Sequence, residues 1–297
     1  MRDNKVLYFI LGVIGLCVFF VIVIAGGIWF SAANSAPWVQ NENGYYVRIT
    51  RVYYLPGSLD EPWQVIGAHA PSFKIIDSTY GYDKKQAYFE GVAIPGSDPS
   101  TFQVIQKPIS RDAVSVFFKS EKISDDPLHF EIMAPLLFKD SKHIYWQEKA
   151  VSNDPDNLSI LEDGNDLYFR DAKNVYVNGL LIRDADPETF SFNRIFPPYA
   201  RDAENIFYYE MTIEGADVDS FHVIGSFGNY SGDANHIYWQ GVPIKDADPA
   251  TFKLLEEITT CSADSKHVYF KNEILADADP SDPDNATLQC LLKTPQW

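Results

Sequence analysis

The stretch RDAKNVYVNG (residues 170–179) decides the fold, because close variants of it return along most of the chain. Seven aspartates mark these copies, and the fifth residue after each one is aromatic, as in the pair Asp171 and Tyr176. The aspartates are Asp83, Asp112, Asp140, Asp171, Asp202, Asp233 and Asp264, at steps of 29, 28, 31, 31, 31 and 31 residues. A period near 30 residues indicates one small structural unit that is repeated along the chain.

Each copy has the composition of a β-hairpin. The residues at 175–177 are β-branched and aromatic, and Asn178-Gly179 after them is a strong signal for a two-residue hairpin turn. An Asp-Pro pair such as Asp248-Pro249 follows in most copies and predicts one helical turn, because aspartate caps free N–H groups and proline suits the first helical position. The hairpin's first strand carries three consecutive apolar residues, so both of its faces must be covered by other sheets.

These patterns predict an all-β fold, an array of about eight β-repeats of ~31 residues. The β-repeat domain spans residues 45–292, with a degenerate first unit at 45–76, seven marked units at 80–292 and a short tail at 293–297. Successive small sheets would pack face to face, as a propeller-like ring or as an open stack of hairpins. The ring is favoured, because closure removes exposed strand edges.

The repeated phrase resembles the signature of the DKNYY repeat proteins. The matching runs are DKKQAYFEG (83–91), DAKNVYVNG (171–179) and DSKHVYFKN (264–272), together with ADPETF (185–190). The likeness covers about four-fifths of the chain. It implies a membrane-anchored repeat protein, and it supplies no catalytic residue or ligand.

An apolar segment precedes the repeats. Val6 to Phe30 is 25 residues without a charge, long enough for a transmembrane helix. Arg2 and Lys5 flank its start, and no Lys or Arg follows until Arg48. This asymmetry predicts a cytoplasmic tail at 1–5, a linker at 31–44 and a repeat domain in the periplasm or outside the cell. A cleaved signal peptide is the alternative, because small residues that suit a cleavage site follow the segment.

The chain is strongly acidic, with 24 Lys+Arg against 41 Asp+Glu and a formal net charge of −17. Nucleic-acid binding is excluded on this ground, because affinity for nucleic acid rests on cationic side chains that neutralise phosphates. Apolar residues make up 46% of the chain, which is enough for a sizeable core. We therefore expect a folded protein whose partners are the membrane, through the helix, and an envelope protein or glycan.

Several recurring side chains could carry chemistry, but each has a structural interpretation. The histidines at the third position after the aspartate alternate with asparagine in other units, which fits a polar turn position better than a metal site. The acidic pairs could bind calcium, but no glycine-bearing loop with a closing glutamate follows them, so turn capping explains them better. These residues are His143, His236, His267 and the pairs Asp184/Asp186, Asp246/Asp248 and Asp277/Asp279.

No Gly-x-Ser-x-Gly elbow and no phosphate-binding glycine loop occurs. We therefore predict that the chain is not an enzyme and has no catalytic residue, no metal site and no cofactor. A glycan or cell-wall hydrolase with carboxylates on one rim remains the alternative.

Aromatic residues recur at the sixth position after the aspartate. If exposed, they would form stacking platforms for a sugar or a polypeptide. The three-apolar pattern instead predicts that they form the core between units. They are Phe89, Phe118, Trp146, Tyr208, Trp239 and Phe270.

Two cysteines lie beyond the apolar segment, both in the last unit. Cys261 occupies a position that is tyrosine in other units, and Cys290 aligns with Leu254 in the strand expected at the end of each unit. Both positions are typical of the core. The sequence allows a disulfide between them, suited to an oxidising compartment, or two buried free thiols.

From these observations the sequence predicts a membrane-tethered extracytoplasmic protein that acts as a binding or scaffold module. A purely structural spacer is a further alternative. The sequence identifies no ligand-binding residue.

Overall fold

The computed structural model describes residues 44–57, 60–163, 165–192, 199–255 and 260–293. In this part of the chain the strands form eight antiparallel sheets, the first with three strands and the others with four. Every sheet uses strands that are consecutive along the chain, so each is a meander built from one stretch of sequence. The all-β repeat prediction is confirmed.

The structure divides into two compact units, of which the first ends at Phe130 and contains sheets 1 to 3. Sheet 1 consists of β1 (Gly44–Val47), β2 (Val52–Leu55) and β3 (Trp63–Gln64), and a 3₁₀ turn at Ala70–Ser72 follows it. Sheet 2 consists of β4 (Lys74–Ile75), β5 (Tyr80–Tyr82), β6 (Ala87–Phe89) and β7 (Val92–Ile94). Sheet 3 consists of β8 (Gln103–Gln106), β9 (Ile109–Arg111), β10 (Val116–Phe118) and β11 (Glu121–Ser124).

The second unit begins at Glu131 and contains sheets 4 to 8. Sheet 4 consists of β12 (Glu131–Ala134), β13 (Leu137–Lys139), β14 (Ile144–Trp146) and β15 (Lys149–Ser152), and a 3₁₀ turn follows at Pro155–Asn157. Sheet 5 consists of β16 (Ser159–Asp163), β17 (Leu167–Arg170), β18 (Val175–Val177) and β19 (Leu180–Ile182). Sheet 6 consists of β20 (Ser191–Phe192), β21 (Tyr199–Arg201), β22 (Ile206–Tyr208) and β23 (Met211–Thr212).

The last two sheets complete the second unit. Sheet 7 consists of β24 (His222–Ile224), β25 (Tyr230–Gly232), β26 (Ile237–Trp239) and β27 (Val242–Pro243). Sheet 8 consists of β28 (Lys253–Leu254), β29 (Cys261–Ala263), β30 (Val268–Phe270) and β31 (Glu273–Ile274). The helix α1 (Pro283–Leu291) follows sheet 8.

The sheets are offset from the sequence repeat by one strand. Each marker aspartate lies in the turn between the second and third strands, and the hairpin turn lies between the third and fourth. The strand after an Asp-Pro turn, such as β28, pairs with the following sheet and not with the preceding one. Consecutive repeats are therefore linked by one strand. In the sequence this strand ends one repeat, but its hydrogen bonds make it the first strand of the next sheet.

The hairpin turn has the geometry that its sequence predicts. Asn178 and Gly179 have φ values of 48° and 76°, both in the left-handed region. A type I′ turn requires positive φ at both central residues, and it matches the twist of the flanking strands. The local sequence therefore sets the register of β18 against β19, with Val177 paired to Leu180.

The third strand of each four-stranded sheet is covered on both faces, as the run of three apolar residues predicts. All three residues of Val175–Val177 are buried. Part of this cover comes from the neighbouring sheet, because Val175 and Val177 share a hydrophobic cluster with Ala200 and Phe207 of sheet 6. In the same cluster, the ring centroids of Tyr168 in sheet 5 and Phe192 in sheet 6 lie 4.8 Å apart in an edge arrangement. Aromatic pairs of this kind stabilise a fold by about 0.5–1.5 kcal/mol beyond the contribution of the apolar area that they bury.

Strand pairing does not close the expected ring. Within the described residues, no strand of one sheet pairs with a strand of another.

The end of the chain departs from the repeat. A strand is expected around Cys290, but this residue lies in α1. The Asp282 side chain caps the first turn by accepting from the Asn285 N–H, and Pro283 follows it. Ala286 of α1 packs against sheet 8. A helix satisfies its own backbone hydrogen bonds, so α1 covers sheet 8 without a partner strand.

The expected transmembrane helix at 6–30 and nearly all of the linker lie outside the described residues. None of the helices described is both long enough and apolar enough to cross a membrane.

Candidate functional site

The marker aspartates are buried and hold the repeats together. In Asp233, Oδ1 accepts from the N–H groups of Asn235 and His236, both at 2.7 Å. Its Oδ2 accepts from the Tyr238 hydroxyl at 2.7 Å and from the Asp217 N–H at 2.9 Å. The carboxylate thus stabilises its own turn, binds the tyrosine five residues later and accepts a hydrogen bond from the turn that precedes its sheet.

The same arrangement recurs along the chain. Oδ2 of the marker aspartate accepts from the preceding turn in four further contacts: His69 to Asp83, Asp98 to Asp112, Asp186 to Asp202, and Asp248 to Asp264. The repeat around Asp171 uses a variation, in which the Ser152 hydroxyl donates to Oδ2 at 2.6 Å. The sequence shows the spacing of aspartate and aromatic residue, but neither their hydrogen bond nor the contact to the preceding turn was predicted from it.

These carboxylates remain ionised while their tyrosines remain neutral. Burial would raise the pKa of Asp233, but its four hydrogen bonds outweigh burial and lower the pKa below its ordinary value. Burial, and then the adjacent Asp83 carboxylate, raise the pKa of Tyr88 to about 12. Hydrogen bonds likewise outweigh burial and lower the pKa of Asp83, Asp171, Asp202 and Asp264.

The recurring histidines lie beside these pairs. Nδ1 of His143, His236 and His267 lies 3.9, 3.7 and 3.8 Å from Oδ1 of its own marker aspartate. The three therefore stand in three different sheets and do not converge. Within the described residues, no group of three or more His, Cys, Asp or Glu side chains is placed to hold a metal ion.

The acidic pairs have two structural roles. Asp184 and Asp246 have φ values of 62° and 61°, at a turn position where other repeats have Gly96 and Gly215. Aspartate tolerates this conformation better than most residues. The second aspartate of the pair caps the next turn. In Asp186, Oδ1 accepts from the Glu188 N–H and Oδ2 from the Thr189 hydroxyl.

The sixth-position aromatics are packed between sheets. Phe89, Phe118 and Trp239 are buried, and the other three are half-buried. The Trp239 ring contacts Tyr230 on the adjacent strand, with 4.7 Å between ring centroids. They are therefore core residues and do not form an exposed row of stacking platforms.

Cys261 and Cys290 are joined by a disulfide. Both residues are fully buried, one on β29 and the other on α1. The bond attaches the covering helix to the last sheet, 29 residues apart in sequence.

A groove of about 680 Å³ lies between the hairpins of sheets 5 and 6. Its apolar lining includes Leu180, Leu181 and Met211, and its charged lining consists of Arg183, Asp184, Glu210 and Glu214. The Thr212 hydroxyl donates to the Arg183 carbonyl at 3.2 Å and joins the two hairpins. The sequence patterns do not single out these residues. At the position of Leu180 and Met211, three other hairpins have Glu121, Lys149 or Glu273 and two have Val92 or Val242, so the position gives no distinctive signal.

Comparisons with known proteins give one positive finding. The model described as DKNYY family matches three overlapping stretches of this chain, residues 4–122, 45–210 and 137–273. No curated protein and no solved structure is similar enough to this chain to count as a match.

Proposed function

Since this chain belongs to the DKNYY family, whose model matches it repeatedly over residues 4–273, we propose that it is a membrane-tethered repeat protein that binds or scaffolds an envelope partner. The repeat domain lies in the periplasm or outside the cell. The protein carries out no reaction of its own.

One observation carries the binding role. The repeated polar side chains stabilise the fold. The Asp233 carboxylate, for example, accepts hydrogen bonds from its own turn, from a tyrosine and from the preceding turn. The residues free to vary are those of the exposed hairpins, such as Met211, which is 47% exposed. A rigid scaffold with variable exposed positions is the usual design of repeat proteins that bind partners.

The tether is supported by the uncharged segment 6–30 and by the cations before it. Protease added to intact cells, after the outer membrane is opened where there is one, should digest the repeats. Complete protection of the repeats would place them in the cytoplasm and contradict this part of the proposal.

The binding role is tested by photo-crosslinking in cells with the full-length chain. A photoreactive side chain is placed at the same hairpin position of every marked unit, one unit at a time. These positions are Val92, Glu121, Lys149, Leu180, Met211, Val242 and Glu273. A binding protein should give an adduct of defined mass from some positions and not from others, and a spacer should give none.

A hydrolase is the competing function. It requires two carboxyl groups that act on one bond, about 5–10 Å apart. Cleavage of an envelope glycan by the purified full-length chain, abolished by replacing two carboxylates on one rim with amides, would establish the enzyme and overturn the proposal.

A further inference from the structure

The groove between the hairpins of sheets 5 and 6 brings three exposed apolar side chains together. Leu180, Leu181 and Met211 are 54%, 46% and 47% exposed. They lie on β19 and β23, the last strands of their sheets, and no further strand pairs with either one in the described part of the chain. Proteins usually protect such edges with charge.

Three other repeats of this protein carry that protection. The ninth residue after the marker aspartate is Glu121, Lys149 or Glu273 in those units, and it is Val92 or Val242 in two more. The scaffold therefore accepts a charged residue at this position. Leu180 and Met211 lie on adjacent hairpins and line one groove together with Leu181, which indicates a surface that a partner covers.

Charge around the groove selects among partners. Three carboxylates, of Asp184, Glu210 and Glu214, line it together with the guanidinium of Arg183, which leaves a net charge of −2. All four residues are exposed, and none forms an ion pair with another residue of the described chain. The groove is therefore prepared for a cationic ligand that also has apolar groups.

The same features argue against other occupants. A second copy of this chain carries a net charge of −17, so electrostatic repulsion opposes it. An anionic membrane surface is repelled for the same reason. Sugars commonly stack on aromatic rings, and none of the groove's lining residues within the described chain is aromatic.

We propose that this groove binds an extended segment of a partner protein in which apolar side chains alternate with lysine or arginine. The apolar side chains pack on Leu180 and Met211, and the cations face Glu210 and Glu214. The backbone of the segment runs along the free edge of β19 and adds hydrogen bonds to it, as in other cases of strand addition. This inference rests on the proposed binding function and assigns it a place and a ligand class.

The experiment uses the full-length chain in non-ionic detergent and a fluorescent, end-capped octapeptide of alternating leucine and lysine. Binding is measured by fluorescence anisotropy. A peptide of alternating leucine and glutamate is the control for charge. The lysine peptide should bind with an affinity that falls as salt is added, and the glutamate peptide should not bind.

Two variants locate the site. Leu180→Lys combined with Met211→Lys copies the residue that Lys149 supplies at the same position, so the fold should persist, and binding should weaken at least about tenfold. Val92→Lys makes the matched change in another unit and should leave binding unchanged. Glu210→Gln combined with Glu214→Gln should weaken binding and reduce its salt dependence.

Equal binding by the double lysine variant and by Val92→Lys would overturn the assignment, as would equal binding of the two peptides. These results differ from failure of the proposed function. Crosslinked adducts in cells from hairpins outside the groove would keep the binding role and remove this site, whereas absence of adducts at every hairpin would remove both.

Discussion

Replacing Asp233 by asparagine tests whether the marker carboxylate links successive repeats. The amide can keep its oxygen toward Asn235 and His236, which donate at 2.7 Å. Its NH₂ group then faces the Tyr238 hydroxyl, which can turn to accept, and the Asp217 N–H, which cannot. One hydrogen bond is lost outright, and a backbone donor loses its partner at a buried position.

The size of the effect follows from these contacts. A buried donor left without a partner costs about 1–3 kcal/mol. The bonds that remain become neutral, and each loses about 1 kcal/mol of charge assistance. With three bonds remaining, we expect Asp233→Asn to lower the local free energy of opening by about 4–6 kcal/mol.

The assay is amide hydrogen exchange of the full-length chain, followed by mass spectrometry over peptides that cover residues 217–239. A local measurement is needed because repeat proteins open in parts and not as one two-state unit. Asp219→Asn is the matched control, because this exposed aspartate in the same turn should change the free energy by about 0.5 kcal/mol or less. Loss of protection no greater than that of the control would refute the clamp.

Three further perturbations test the ionised carboxylates, the disulfide and the hairpin turn. Stability should be nearly constant between about pH 4 and pH 10. The pKa values of Asp83, Asp171, Asp202, Asp233 and Asp264 are lowered, so their contribution to stability is present above the ordinary aspartate pKa and is lost as the pH falls. Tyr88 has a raised pKa, so its contribution is present below the ordinary tyrosine pKa and is lost as the pH rises. Melting temperatures across pH check this, and a steep decline between pH 5 and pH 9 would contradict it. Replacing both Cys261 and Cys290 by alanine should destabilise the last sheet and α1 by about 3–4 kcal/mol, the loop-closure value for a separation of 29 residues. Equal urea midpoints of the native chain with and without reductant would argue against this. Gly179→Ala places a Cβ at positive φ and against the Trp146 ring, whereas Gly215→Ala meets the same φ in open space. The first should cost about 2 kcal/mol more than the second in urea unfolding, and equal losses would show that the contact between hairpin and ring is not close.

Much of each sheet could be predicted because its determinants are local. The turn at Asn178-Gly179 needs only its own two residues, and the burial of 175–177 follows from alternation along a strand. The sixth-position aromatics were also correctly predicted as core, because a strand that is apolar on both faces leaves no exposed side.

Other features could not be read from local patterns. The contact between Asp217 and Asp233 joins residues 16 positions apart and uses a backbone N–H, which every residue except proline has. The left-handed backbone conformation of Asp184 was not predicted. In the sequence this residue is only one member of an acidic pair, and an aspartate does not by itself indicate a position that is glycine in other repeats. The strand expected at Cys290 was a wrong prediction, because alignment to the repeat assigned this residue to a strand and the chain forms α1 here.

By itself, the sequence determined that this protein is a series of small β-sheets with a fixed hairpin and a buried strand, marked by an aspartate and an aromatic residue five positions later. Those properties depend on neighbours within a few positions, and a period near 30 residues repeats them. The tertiary structure alone decided which sheet each linking strand joins, that strand pairing closes no ring, and that Leu180 and Met211 face one groove. These outcomes depend on contacts between different repeats. Because the repeats look alike in sequence, the pattern does not show which strands pair or which surfaces pack together.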